Sequence, residues 1–305
     1  MSTDERASTR NQGYRRWSLQ EIEDWVAPQV PSPVILRLVA GEFEHFKKFN
    51  TGYGRWVVQT EVHFTRLVTG VEQVDYQNKS NWPVHRGTQF ILVTNTLRTL
   101  WSAADRLHRG AYQDSLTLVR LAYEVWARSV FLSCYPSEFL PGVAPSVPKG
   151  SHDFNMTNFL REELRLDWLK SYELLSMFAH GKLDTFVAVL DHAQNQVPRR
   201  HQLSVSFDES RCDFAITHLN FVLLLFLTFV KDQLLIGAPE SLSSLLNESN
   251  EILRTCLFEN PKPYWANTEA DLNYVAALLT TADAGGDWKS LVKARPQVIR
   301  SASNA

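Results

Sequence analysis

A chain of 305 residues with 44 % apolar side chains is long enough for one large or two modest domains and carries enough apolar surface to bury a core. A net charge of -2 and a pI near 6.5, with basic residues spread along the chain, do not call for an extended nucleic-acid or membrane surface. Cys134, Cys212 and Cys256 are odd in number, far apart and without metal-ligand spacing, so a reducing cytoplasm is the simplest compartment.

The polar start, "MSTDERASTRNQGYRRW", predicts a frayed tail over 1–17 that is neither a secretory signal nor an anchor. Ser18, with Glu21 three positions later, has the form of a capping box opening a short helix that Pro28 ends. Leu36, Val39, Phe43 and Phe46 recur at helical spacing, "NTGYG" reads as a break, and Val58, Val62, Leu67 and Val71 mark a second segment. Two antiparallel helices are therefore expected in 34–74, although the β-branched content of "RWVVQTEVHF" also suits a strand.

Pro83 suits a helix start, and two long periodic segments joined at Gly110 predict a tight helical hairpin ending near Tyr135. The proline-rich stretch 136–158 is a connection or lid. A helix is expected from Phe159 to a C-cap at Gly181, another from Leu183 to Gln194, and an extended piece around Leu203, Val205 and Phe207. Asp208 or Ser210 then caps a strongly apolar helix running to Gly237. Its core, Phe214 to Val230, is shorter than the roughly 20 residues of a membrane span, and His218 and Asn220 interrupt it, so a helix buried inside a bundle is expected and no membrane partner. Pro239 opens a helix to about Phe258, and Asn267 to Thr280 forms a last one before a tail. The sum is an all-α bundle with very little strand: an N-terminal helical extension over 18–80, a central bundle over 81–236 built on the hairpin, and peripheral helices and a tail over 237–305.

Within "LTLVRLAYEVW", Arg120 and Glu124 stand at i and i+4 on one stripe of a helix with apolar neighbours, and Ser176 and His180 repeat that spacing in "SYELLSMFAHG". If the two helices face one another, an Arg, a Glu, a Ser and a His converge in a low-dielectric pocket. One reading is a satisfied polar network that fixes helix register, with His180 donating to Glu124. The other uses Arg120 to hold an anion, His180 as general acid or base and Glu124 to orient it.

The stretch "GAYQDSLTLVRLAYEVW" with "LLSMFAHG" resembles a family of bacterial all-helical proteins of unknown function, in which an Arg-x-x-x-Glu helix is paired with a later Ser-x-x-x-His-Gly segment. The resemblance covers about residues 85–235. That family is similar in its hairpin layout to the HEPN bundles, whose toxin members cut RNA without a metal through an Arg-x(4–6)-His motif on a late helix. The resemblance implies Arg211 and His218, in "RCDFAITH", as the matching pair, although Cys212 stands where a polar residue is usual.

A di-iron bundle needs two Glu-x-x-His motifs and only Glu42 with His45 offers one, while the His152-Asp153 doublet in "SHDF" lacks assignable companions. No phosphate-binding, dinucleotide-binding or hydrolase-elbow signature occurs. No metal and no cofactor is therefore expected. "YRRW" and "ENPKPYW" are candidates for a partner surface or for packing. Two functional readings of different class follow. The first is a non-catalytic binding or scaffold module for a protein partner, a second copy of the chain, or a small anionic ligand. The alternative is a HEPN-like ribonuclease of a toxin or phage-defence system, with RNA as its partner and either Arg120 with His180 or Arg211 with His218 at work.

Overall fold

Helical periodicity in this sequence is long-ranged, and the fold follows it. The computed structural model describes residues 18, 20, 21, 24, 33–74, 82, 84–136, 158–166, 172, 175, 176, 207–235, 239–259 and 268–295. Among them every regular element is helical. The tail expected over 1–17, most of the 136–158 stretch, the helix expected over 183–194, the extended piece expected before Phe207, "YRRW" and most of "ENPKPYW" lie outside the described residues, as do His152, Asp153 and His180.

The capping box is present: the Ser18 backbone N–H donates to the Glu21 carboxylate at 2.8 Å, and the Glu21 N–H donates back to Ser18 Oγ at 3.2 Å. The two helices expected in 34–74 are instead one, α1 (Pro33–Glu72), 40 residues long. Each glycine in "NTGYG" costs about 1 kcal/mol relative to alanine in a helix, and packing on both sides outweighs that. Phe49 and Val57 are buried, Phe49 stacks on Tyr53 at 5.7 Å, and the Tyr53 hydroxyl donates to the Glu209 carbonyl at 3.1 Å. Asn50 and Thr51, which read as breakers, bond back to the carbonyls of Phe46 and Lys47.

The hairpin forms as expected from α2 (Val84–His108) and α3 (Tyr112–Cys134). Gly110 has φ +76, its N–H reaches the Leu107 carbonyl, and the Ala111 N–H reaches that of Arg106. This is the paired closure of a Schellman motif, whose left-handed residue favours glycine. Buried Gln89 cross-links the hairpin by donating to the Ser129 carbonyl at 2.8 Å and to Ser133 Oγ at 2.7 Å.

The helix expected from Phe159 to Gly181 is interrupted. A π-helical turn over Phe159–Glu163 is followed by Arg165 at φ +56, where a non-glycine residue breaks helical propagation. The turn anchors itself by apolar burial of Phe159, Leu160 and Leu164. Tyr172, Leu175 and Ser176 are helical again.

The apolar segment forms α4 (Glu209–Phe229), extended by a π-turn over Val230–Leu234. Asp208 caps it, accepting from the Arg211 N–H at 3.0 Å. The stretch Arg211–Leu234 is long and apolar enough to cross a membrane, and 83 % of its most apolar window is buried inside the fold. It packs against α1, α2, α3 and α5 (Glu240–Phe258). α6 (Thr268–Asp283) buries Leu272, Val275, Leu278 and Leu279 against α3 and the π-turn. A final helix that sequence periodicity left inside the tail, α7 (Trp288–Ala294), inserts Trp288, whose indole N–H donates to the Cys134 carbonyl at 3.2 Å.

Candidate functional site

Spacing on α3 brings Arg120 and Glu124 onto one stripe, and their side chains meet with Nη2 2.8 Å from Oε1. Both are about four-fifths buried. A third residue completes the pair. Arg120 Nη2 donates to the Tyr172 hydroxyl at 3.0 Å, and that hydroxyl donates on to Glu124 Oε1 at 2.8 Å. The guanidinium also lies 5.3 Å from the Tyr172 ring centroid, a cation–π distance. Tyr123, buried one residue before Glu124, packs on Trp126 and Tyr172. Ser176, half-buried, stands one turn beyond Tyr172, and His180 lies outside the described residues. The guanidinium charge is therefore matched within its own triad through Nη2, while its buried Nε has no acceptor among the described residues.

The Arg211 and His218 pair is not brought together in a cleft. Arg211 sits at the mouth of α4, with Nε 3.3 Å from the cap carboxylate of Asp208. His218 is two turns deeper, about 10 Å along the axis by helical rise, and has no exposed surface. Its Nδ1 donates to the Phe214 carbonyl at 2.7 Å, and its ring lies 4.0 Å from that of Phe214. Burial pushes the imidazole down to about 4, so it is neutral at physiological pH.

His45 is likewise a stitch between helices. Its Nδ1 faces the His108 carbonyl at 3.0 Å, which must accept a proton, so Nε2 accepts from the Tyr112 hydroxyl at 2.7 Å. Tyr112 in turn accepts from the Asp208 N–H at 3.2 Å. One buried chain of hydrogen bonds thus ties α1, the hairpin turn and the start of α4. Glu42, the other half of the lone Glu-x-x-His motif, lies 3.8 Å from Arg109 instead. No group of three His, Cys, Asp or Glu side chains with metal-binding geometry occurs among the described residues.

Two concave surfaces are lined by described residues. An open groove of about 650 Å³ lies along α1 at the start of α4, lined among others by Lys47, Lys48, Glu44 and Glu209. Its two cations face two carboxylates, and its central Tyr53 hydroxyl is engaged by the Glu209 carbonyl. The second is a cleft of about 180 Å³ between α1 and α2. Val57, Leu100, Leu219 and Leu223 make its floor, Phe64 and Trp101 a wall, and Glu61 and Asp105 its rim beside His108. The Phe64 and Trp101 rings are 5.5 Å apart, and Trp101 is 53 % exposed. Val58 and Val62 are also exposed on α1 nearby.

Compared with protein-family models, with curated proteins and with solved structures, the chain matches none. The likeness to a helical family therefore rests on the quoted motifs alone. Sequence patterning passed over Tyr172, whose place one turn before Ser176 was the available signal. It also passed over the cleft, whose residues recur at helical spacing within each of three helices but are joined into one surface only by packing.

Proposed function

We propose that this chain is a non-catalytic helical binding module whose ligand site is the cleft between α1 and α2. The observation that supports this most directly is a contrast in how polar groups are used. Arg120 and Glu124 neutralise each other through Tyr172, Arg211 is held by Asp208, and His218 is wholly buried. A metal-independent nuclease needs an Arg and a His that reach its substrate together. The cleft instead joins an apolar floor to a half-exposed tryptophan and an exposed carboxylate, Glu61, the composition of a ligand pocket. Of the ligands that the sequence suggested for a binding module, a small anion fits this rim badly, because it would meet Glu61 and Asp105.

The test is incubation of the full-length protein with total RNA in EDTA, alongside Arg120→Ala, His180→Ala and His218→Ala. Intact RNA throughout is the expected result. Cleavage by the wild type that is lost in one variant with an unchanged melting temperature would overturn the binding-module reading and name the active residue.

A further inference from the structure

We infer that the cleft between α1 and α2 is a receptor for a small organic cation, with a single ring or branched alkyl body in the cavity and an ammonium group beside Glu61. The inference rests on the binding-module reading and supplies its ligand class.

Size sets the first limit. Apolar cavities of roughly 150 Å³ stay dry and take up benzene, so about 180 Å³ accommodates one ring with a short substituent and excludes a polycyclic body. Leu100, Leu219 and Leu223 offer such a body no hydrogen-bond partner, and the Thr60 hydroxyl in the lining is taken up by the Trp56 carbonyl and the Asn220 amide, so the part that enters must be apolar.

Charge decides the rest. Of the two rim carboxylates, Asp105 is engaged by Arg109 at 3.1 Å. Glu61 faces no Lys or Arg within ion-pair distance among the described residues. A neutral occupant covering Glu61 would strip water from a carboxylate and return nothing. An anion would add repulsion. Burial favours the uncharged form of the His108 imidazole, against the opposing pull of Glu61 and Asp105, and among the described residues no Lys or Arg lines the cleft. An ammonium answers the carboxylate directly, and the exposed face of Trp101 attracts the same charge.

Benzylamine, which is protonated at neutral pH, benzyl alcohol and benzoate share one ring and differ in charge. Titration of all three into the full-length protein by calorimetry and ligand-observed NMR, at low salt, tests the assignment. Benzylamine is expected to bind with a dissociation constant on the order of 0.1–1 mM, as suits a ligand of about eight heavy atoms. Benzyl alcohol is expected to bind about tenfold more weakly, and benzoate not detectably. Glu61→Gln, at an exposed position, should erase the preference for the amine. Ala104→Trp should block all binding by filling the cavity; if that variant melts early, Trp101→Ala replaces it and should weaken the amine selectively.

Equal binding of amine and alcohol, or a preference that survives Glu61→Gln, overturns the cation assignment while leaving the cleft a binding site. Failure of all three ligands to bind overturns the cleft itself. RNA cleavage in the assay described above overturns the binding-module reading independently of either.

Discussion

The Tyr172 hydroxyl donates to Glu124 Oε1 at 2.8 Å while accepting from Arg120 at 3.0 Å, so a residue outside α3 closes an ion pair that α3 forms by itself. This makes the triad a clamp between the hairpin and the segment around Tyr172. Arg120→Ala should destabilise by about 2 kcal/mol, between the values for exposed and fully buried pairs, and Tyr172→Phe by about 1 kcal/mol. A double-mutant cycle read by urea unfolding should return a coupling energy near the smaller figure. Additive losses would mean that the contact between Arg120 and the Tyr172 hydroxyl carries no energy.

His63 tests a second polar group in the core. It lies on α1 between Gln59, which accepts from Cys256 at 3.2 Å, and Arg66, which donates to Ser249 at 3.0 Å. It thus falls mid-seam against α5. The ring is 1 % exposed, and neither nitrogen has a partner among the described residues. Burial, helped by Arg66 and opposed by Glu248, pushes its pKa down from 6.5 to about 4. Between those values the unfolded chain binds the proton and the folded one does not, so stability falls as pH drops from 6.5 toward 4. His218 contributes in the same window. His63→Leu, similar in volume and without polar atoms, should raise the melting temperature at pH 7 by about 3–6 °C. It should also flatten the acid limb of a plot of melting temperature against pH. A steeper acid limb or a lower melting temperature would show that His63 has a partner that matters.

The glycines of α1 and of the hairpin turn should respond oppositely to the same substitution. A Cβ at Gly52 or Gly54 meets nothing within 4 Å, so Gly52→Ala and Gly54→Ala should each stabilise by about 1 kcal/mol through helix propensity. Gly110, at φ +76, must bear the left-handed strain of any side chain, so Gly110→Ala should destabilise by roughly 1 kcal/mol or more. Thermal melting of the three variants checks both signs. A loss at Gly52 or Gly54 would indicate that α1 bends there in solution.

The hairpin was legible because its signals are local: Gly110 ends one periodic run and a second begins at once. The caps at Ser18 and Asp208 were legible for the same reason, since a short polar side chain bonds to a backbone N–H three residues on. "NTGYG" misled because propensity is a small energy. Two glycines ask for about 2 kcal/mol, and the burial of Phe49 and Val57 alone supplies more. α7 escaped notice because its seven residues are too few to show a period. Trp288, packed edge-on to Tyr135 at 5.4 Å, and buried Val292 hold it in place.

For the polar residues the division runs along one line. Spacing alone put Arg120 beside Glu124, because i and i+4 share a helix face whatever surrounds the helix. That Tyr172 completes the pair and that His218 is sealed in the core depended on which helices meet. So did the sharing of one cleft by Glu61, Trp101 and Leu223. Periodicity by itself determined that the long segments are helical, though on α1 the recurrence it picked out includes Phe46, Val58 and Val62, which are exposed. Only tertiary packing decided which polar groups are consumed as partners and which still face solvent, because burial and hydrogen-bond pairing are properties of contacts between segments distant in the chain.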